Sequence, residues 1–279
     1  MALFRLSFTS KYLAGPADVN VIMPDPAFGK EPSEFYGSGK KYKVLWLLHG
    51  TWGDYTDWIR KSNAELYACE KQMVVVMPSA LNSNYVDWNT FGMGHHVYSF
   101  FLKELMPLIY GWFPVSDKRE DNFIAGLSMG GRGACVFAFN HPGLFAGMYS
   151  FSASPKRLQM PDPNNQFSAR EFNLINNFGD FDGYLNSPLN LLRVLEEKRE
   201  EGVKLPELYF ACGDRDPIGY QDFLTFHTYA EKHRLKADFF EVPGYSHEWR
   251  FWDLCLQDAL ERFVPSAGKV PVFNQYRKV

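Results

Sequence analysis

The segment that most constrains this chain is Gly126-Leu127-Ser128-Met129-Gly130, in which a serine has a glycine two residues away on each side. Residues 121–125 are typical of a short buried strand, and residues 131–139 of a helix that begins with small residues. A serine on a sharp turn between strand and helix needs small neighbours, because larger side chains would clash with the strained backbone. At a helix N-terminus, N–H groups and the dipole favour a developing anion. The pattern predicts a nucleophilic serine; the alternative is an ordinary serine in a glycine-rich turn.

Charge and composition argue against several classes of function. The 279 residues carry 29 Lys and Arg against 32 Asp and Glu, with no basic stripe of the kind that binds nucleic acid. No apolar run approaches the roughly 18 residues that a membrane span needs. Residues 1–9 alternate like a strand and lack the layout of a signal peptide. We therefore expect no nucleic-acid partner and no membrane partner. The sequence leaves open whether the chain forms a homo-oligomer.

The cysteines and the paired histidines show no metal-ligand pattern. Cys69, Cys135, Cys212 and Cys255 are far apart, without the spacing of a metal site or a disulfide framework. His95-His96 is predicted to open a helix, on which no carboxylate stands at ligand spacing. We expect no metal and no cofactor. Reduced, buried thiols fit a cytoplasmic protein, and a mature secreted form without its leader stays open.

Strand and helix patterns alternate along the chain. A continuous apolar run at 42–48 is typical of a central strand that is buried on both faces. The remaining predicted strands lie near 3–9, 18–23, 73–77, 121–125, 145–150, 207–212 and 237–242, and the helices at 62–71, 95–112, 131–139, 219–234 and 248–263. This order predicts an α/β fold in one domain over residues 1–279, with a mostly parallel, doubly wound sheet of about eight strands and helices on both faces.

Residues 155–186 interrupt the alternation. This segment is rich in Pro and Asn and then in Phe, and it is too long for a plain connection. We interpret it as a lid-like insertion over the carboxyl edge of the sheet, where ligand sites of α/β folds lie. The alternative is a solvated surface excursion.

Partners for a serine nucleophile follow two later strands. A serine hydroxyl needs an imidazole to take its proton and a carboxylate to orient the imidazole. Residues 212–217 contain Asp214 and Asp216 directly after one predicted strand, and His247 follows the next strand and precedes a helix. The order serine, acid, histidine is the one expected for a sheet of this kind. The alternatives are a helix-capping aspartate and a polar residue at a helix start.

Two backbone N–H groups would be needed to stabilise an oxyanion. One is expected from Met129, the residue after the nucleophile, and the other from the loop after the 42–48 strand. That loop is His49-Gly50-Thr51-Trp52-Gly53, and Thr51 is the expected donor because its glycine neighbour lets backbone approach a substrate oxygen closely.

Four stretches together resemble one family of enzymes. They are Leu47-Leu48-His49-Gly50 with Gly53 and Trp58, Ala125 to Gly131, Gly213-Asp214-Arg215-Asp216, and Gly244 to Trp249. The chain resembles the esterase D family of α/β hydrolases over about residues 3–264, and it is most similar to the tributyrin-esterase branch, alongside acetyl and feruloyl esterases.

The resemblance implies an α/β-hydrolase fold and a role for each matching residue. Ser128 would be the nucleophile, His247 the general base and acid, and Asp216 the orienting carboxylate, while Thr51 and Met129 would form the oxyanion hole. In the related S-formylglutathione hydrolases the loop after His49-Gly50 continues with a different signature and a nearby cysteine, which this chain lacks.

The expected function is that of a serine carboxylesterase acting on small ester substrates through an acyl-enzyme. Trp52 and Phe178 are expected to contact substrate. Aromatic side chains have a fixed shape, so walls built from them favour a small pocket for acyl chains of about two to four carbons. Feruloyl or acetyl-xylan esterase and S-formylglutathione hydrolase activity are the enzymatic alternatives. The non-enzymatic alternative is a binding module on a hydrolase scaffold.

Overall fold

The computed structural model describes residues 2–26, 29–90, 93–159 and 169–278. The strands in these ranges are β1 (Ala2–Ser10), β2 (Gly15–Met23), β3 (Val44–Leu48), β4 (Val74–Pro78), β5 (Asp87–Trp88), β6 (His95–His96), β7 (Asn122–Leu127), β8 (Gly147–Phe151), β9 (Glu207–Gly213), β10 (Asp238–Val242) and β11 (Arg277–Lys278).

Helices surround these strands. They are α1 (Pro32–Tyr36), α2 (Asp57–Lys61), α3 (Ala64–Glu70), α4 (Val97–Phe100), α5 (Met106–Trp112), α6 (Met129–Asn140), α7 (Ala169–Asn176), α8 (Phe181–Leu185), α9 (Leu191–Glu200), α10 (Tyr220–Lys232) and α11 (Trp249–Phe263). Within the described ranges, no helix is both long and apolar enough to cross a membrane.

Nine strands form the main sheet, in the order β1-β2-β4-β3-β7-β8-β9-β10-β11. The six strands from β4 to β10 in this order are parallel, and β1, β2 and β11 pair antiparallel. The eight strands predicted from sequence are present. The ninth, β11, has two residues, too few to produce a recognisable pattern.

The central strand β3 shows why the sheet is wound on both sides. All five of its residues are buried, and they alternate between two hydrophobic cores. Val44, Trp46 and Leu48 belong to the core that includes α6, whereas Leu45 and Leu47 belong to the core that includes α11. This alternation explains the continuous apolar run and confirms that the strand is buried on both faces.

The helix predicted over residues 95–112 is wrong at its start. His95 and His96 pair with Asp87 and Trp88 in a two-stranded sheet, and the helix begins at Val97. Residues 101–105 then form a π-helical turn before α5. This turn lies directly before Pro107, which lacks the N–H that would bond the carbonyl of residue 103.

The predicted insertion over 155–186 lies only partly within the described part of the chain. Residues 160–168 lie outside the described residues, and α7 and α8 occupy much of the remainder. Neither helix was predicted, and neither was α9. The short helix α1, between β2 and β3, was not predicted either.

The turn that carries Ser128 depends on close backbone packing. A Cβ on Gly126 would lie 2.6 Å from the carbonyl of Gly130, and a Cβ on Gly130 would lie 2.5 Å from the carbonyl oxygen of Leu48. Only glycine lets the first turn of α6 approach the ends of β7 and β3 this closely. The sheet edge therefore positions the serine directly.

We expect Gly130→Ala to destabilise the protein by about 1–3 kcal/mol or more, because backbone atoms cannot yield to the added methyl group. Gly143→Ala is the matched control, since a Cβ there meets no atom within 4 Å. Thermal unfolding of the two variants measures the difference. Equal melting temperatures would contradict the packing argument.

Candidate active site

Three side chains from the carboxyl edge of the sheet form a continuous hydrogen-bonded chain. The Ser128 Oγ lies 3.0 Å from Nε2 of His247, and Nδ1 of His247 lies 2.8 Å from Oδ2 of Asp216. Ser128 follows β7, Asp216 follows β9 and His247 follows β10. Since a carboxylate only accepts hydrogen bonds, Nδ1 carries the ring proton and Nε2 is left to accept the serine proton.

The backbone of Ser128 adopts an unusual conformation. Its φ of 52° and ψ of −117° lie outside the regions that a side chain favours. The Ser128 N–H donates to the carbonyl of Phe151 at 2.8 Å, and the Ser128 carbonyl accepts the first helical hydrogen bond from Arg132. Strain of this kind costs on the order of 1–3 kcal/mol and is typical of functional sites.

Asp216 is held as an anion. Its Oδ1 accepts hydrogen bonds from the N–H groups of Ile218 at 2.9 Å and Gly219 at 2.8 Å. Burial raises the pKa of Asp216, but the hydrogen bond with His247 and these two N–H groups outweigh burial, so that the pKa lies below its ordinary value. The carboxylate therefore stays ionised at neutral pH.

Asp214 has a different position. Its Oδ1 accepts a hydrogen bond from the N–H of Gly244 at 2.7 Å, which ties the loop after β9 to the loop that leads to His247. Of the two carboxylates on the loop, Asp216 is the one that contacts the imidazole.

Trp252 packs against the imidazole of His247. The two rings are perpendicular, with centroids 4.9 Å apart. The indole N–H donates to the Ser152 hydroxyl at 3.0 Å, which fixes the Trp252 ring. Sequence reasoning missed Trp252, because its place on α11 reads as an ordinary core position.

The loop after β3 lies directly beside Ser128. A Cβ on Gly50 would be 3.5 Å from Cβ of Ser128. Gly50 therefore lies next to the serine, and Thr51 is the following residue. Met129 begins α6, whose first N–H groups have no acceptor within the helix. Met129 thus follows the serine directly, and Thr51 lies one residue beyond Gly50, which approaches it.

The buried ring of His49 stabilises this loop through hydrogen bonds to the backbone. Its Nε2 accepts a hydrogen bond from the Ala80 N–H at 2.9 Å, so Nδ1 must donate to the Gly50 carbonyl at 2.7 Å. The Tyr85 hydroxyl donates to the carbonyl of His49. Burial lowers the pKa of His49, more than the bond with Gly50 raises it, which keeps the ring neutral. The sequence pattern gave no sign that His49 supports this loop.

A cavity of about 160 Å³ opens beside the serine. Among the residues that the structure describes, none that lines it is aromatic, so its described lining lacks the aromatic walls expected from sequence. Its polar lining comes from segments with no shared sequence signal and includes Asn84, Arg132, Ser152, Ser154, Lys156, Glu171 and Asp222.

Trp52 and Phe178 lie in different surroundings. Trp52 is 91 % exposed and lines a neighbouring cavity of about 400 Å³ together with Thr51. The backbone N–H of Trp52 donates to Oδ1 of Asn82 at 2.8 Å. Phe178 packs against the hydrophobic core and lines neither cavity. Its position does not support the expected contact with substrate.

Comparison with known proteins identifies the family of this chain. Residues 27–263 match the model of the Esterase family, described as "Putative esterase". The chain belongs to this esterase family. It is a serine carboxylic-ester hydrolase with an α/β-hydrolase fold, as the resemblance implied.

Individual relatives cover nearly the whole chain. An acetyl esterase from Caldicellulosiruptor saccharolyticus is 27 % identical over 269 residues, which are 94 % of this chain and 97 % of that protein. The fluorophosphonate-binding serine hydrolase FphF of Staphylococcus aureus is 30 % identical with a TM-score of 0.79, covering 95 % of this chain and 99 % of that one. The S-formylglutathione hydrolase FrmB of Staphylococcus aureus is 30 % identical with a TM-score of 0.77, covering 94 % and 98 %. The tributyrin-esterase branch stays a prediction.

We expect Asp216→Asn to lower kcat by about 10³- to 10⁴-fold, because the amide N–H₂ favours the tautomer of His247 whose Nε2 cannot accept a proton. Asp214→Asn keeps an acceptor oxygen for Gly244 and should cost less than about tenfold. Steady-state kinetics on a short aryl ester measures both. A larger loss for Asp214→Asn would refute the assignment of the carboxylate.

Proposed function

We propose that Ser128, His247 and Asp216 form the catalytic triad of this esterase. The observation that carries the proposal is the unbroken chain from the Ser128 hydroxyl through His247 to Asp216, at 3.0 Å and 2.8 Å. Both distances lie within hydrogen-bond reach for proton transfer. The intact triad argues against a module that only binds.

Hydrolysis would proceed in two steps. Nε2 of His247 takes the hydroxyl proton as Ser128 Oγ attacks the ester carbonyl, and the imidazolium then gives this proton to the departing alkoxide. Water next loses a proton to Nε2 and attacks the acyl-enzyme, which releases the acid and restores the Ser128 hydroxyl. The N–H groups of Thr51 and Met129 would stabilise the oxyanion of each tetrahedral intermediate.

The cavity beside Ser128 supports short acyl groups. Its volume of about 160 Å³ is smaller than the roughly 300–1,000 Å³ of cavities that hold drug-sized ligands. We assign the acyl group to this cavity and expect chains of two to four carbons. The support comes from volume and mixed polar lining, not from the aromatic walls expected from sequence. Trp52, beside the larger cavity, would contact the alcohol portion.

A thioester substrate is the second candidate, because FrmB, a relative by structure, is an S-formylglutathione hydrolase. The same triad would serve that reaction. The loop Thr51-Trp52-Gly53 lacks the cysteine-containing signature of such enzymes, which favours oxygen esters. Comparing S-formylglutathione with aryl acetate distinguishes the two.

We also propose a cytoplasmic location. All four cysteines are free, and Cys135, Cys212 and Cys255 are buried, which fits a reducing compartment.

We expect Ser128→Ala and His247→Ala each to lower kcat on a short aryl ester by at least about 10³-fold, because the two residues act as one unit. Each variant should unfold at a temperature close to that of the parent. Turnover near the parental rate in folded Ser128→Ala would reject the triad.

Acyl-chain preference tests the cavity assignment. We expect kcat/KM for 4-nitrophenyl esters to be highest between acetate and butyrate and to fall at octanoate, because further methylenes cannot fit. A methylene that fits contributes at most about 0.8 kcal/mol. A steady rise through octanoate would show an open acyl site, and a preference for methyl ferulate would favour the feruloyl alternative.

A further inference from the structure

One lysine joins three separate segments around the cavity beside Ser128. Nζ of Lys156, which follows β8, lies 3.3 Å from Oε1 of Glu171 on α7 and 3.0 Å from Oδ2 of Asp222 on α10. All three residues line the 160 Å³ cavity with Ser128. We call them the Lys156 cluster.

The charge balance makes Lys156 the central member. Two carboxylates share one ammonium group, and each side chain is about a third exposed. Ion pairs of this exposure are individually weak and are screened by salt. Removing the ammonium group, however, also leaves two like charges facing each other, so attraction between α7 and α10 becomes repulsion.

The far end of α7 is fixed independently. Leu174 and Ile175 are 1 % and 3 % exposed, and the side-chain amide of Asn177 donates to the carbonyl of Asp87 at 2.8 Å. Glu171 lies one turn before Leu174, at the end of α7 that the ion pairs hold. The ion pairs of the Lys156 cluster thus link the start of α7 to α10.

We propose that the Lys156 cluster sets the length of acyl chain that the enzyme accepts. By linking α7 to α10 through Lys156, the cluster would close the part of the cavity that its own side chains line. Disruption of the cluster would enlarge the cavity and admit longer chains. This inference rests on the proposed function, in which this cavity holds the acyl group.

The test is the ratio of kcat/KM for 4-nitrophenyl octanoate to that for the acetate, which cancels any change common to both esters. We expect Lys156→Met to raise this ratio about three- to tenfold and Glu171→Gln to raise it less, since Glu171→Gln removes one of the two ion pairs. Lys198→Met is the matched control. Lys198 is 26 % exposed, compared with 33 % for Lys156, and pairs with Glu201 at 2.7 Å without lining the cavity, so its ratio should equal that of the parent.

An unchanged ratio in Lys156→Met and Glu171→Gln, in proteins that still hydrolyse the acetate, would overturn the role of the cluster and leave the triad untouched. If Lys156→Met does not fold, Glu171→Gln alone decides. Failure of the proposed function has a different signature, which is acetate hydrolysis that survives Ser128→Ala.

Discussion

The active site depends on one strained residue. Ser128 has a φ of 52°, which a serine adopts only when its surroundings leave no alternative. The surroundings are the close approach of α6 to the ends of β7 and β3, which requires glycine at 126 and 130. The hydrogen bond from Ser128 N–H to Phe151 fixes the turn from the other side. The turn between β7 and α6 is therefore fixed by packing at the edge of the sheet, and it holds the Ser128 Oγ in one position.

Two histidines on the same edge have opposite roles because their partners differ. His49 is 1 % exposed, and backbone groups occupy both of its ring nitrogens, so it is a neutral support for the loop beside Ser128. His247 has a buried carboxylate on one nitrogen and the serine hydroxyl on the other. A carboxylate stabilises the imidazolium that forms during proton transfer, whereas a carbonyl and an N–H leave no position for the proton to move. Burial and backbone partners keep His49 neutral, whereas Asp216 and Ser128 give His247 the partners that proton transfer needs.

Much of this arrangement could be predicted from the sequence, because it depends on local patterns. The G-x-S-x-G turn, the apolar run of β3 and the polar residues after β9 and β10 each lie within a few neighbouring residues. The carboxyl ends of parallel strands meet at one edge, which brings Ser128, Asp216 and His247 together without further information. Strand order alone did not distinguish Asp214 from Asp216. The family resemblance favoured Asp216, and Asp216 is the carboxylate that lies against His247.

The remainder could not be predicted, because it depends on contacts between distant segments. The cavity lining combines Lys156, Glu171 and Asp222 from three elements, and their pairing has no sequence signature. The aromatic content of the insertion suggested that Phe178 contacts substrate, but Phe178 packs on the core. The start of the 95–112 helix was misplaced because pairing of His95 and His96 with β5 overrides the helical pattern.

The central claim is that His247 and Asp216 make Ser128 the nucleophile, and covalent labelling tests it most directly. A fluorophosphonate probe should add to the protein in a one-to-one ratio, and peptide mass spectrometry should place the adduct on Ser128. His247→Ala, which leaves the serine in place, should be labelled at least about a hundredfold more slowly. An adduct on another residue, or equally fast labelling of His247→Ala, would contradict the account.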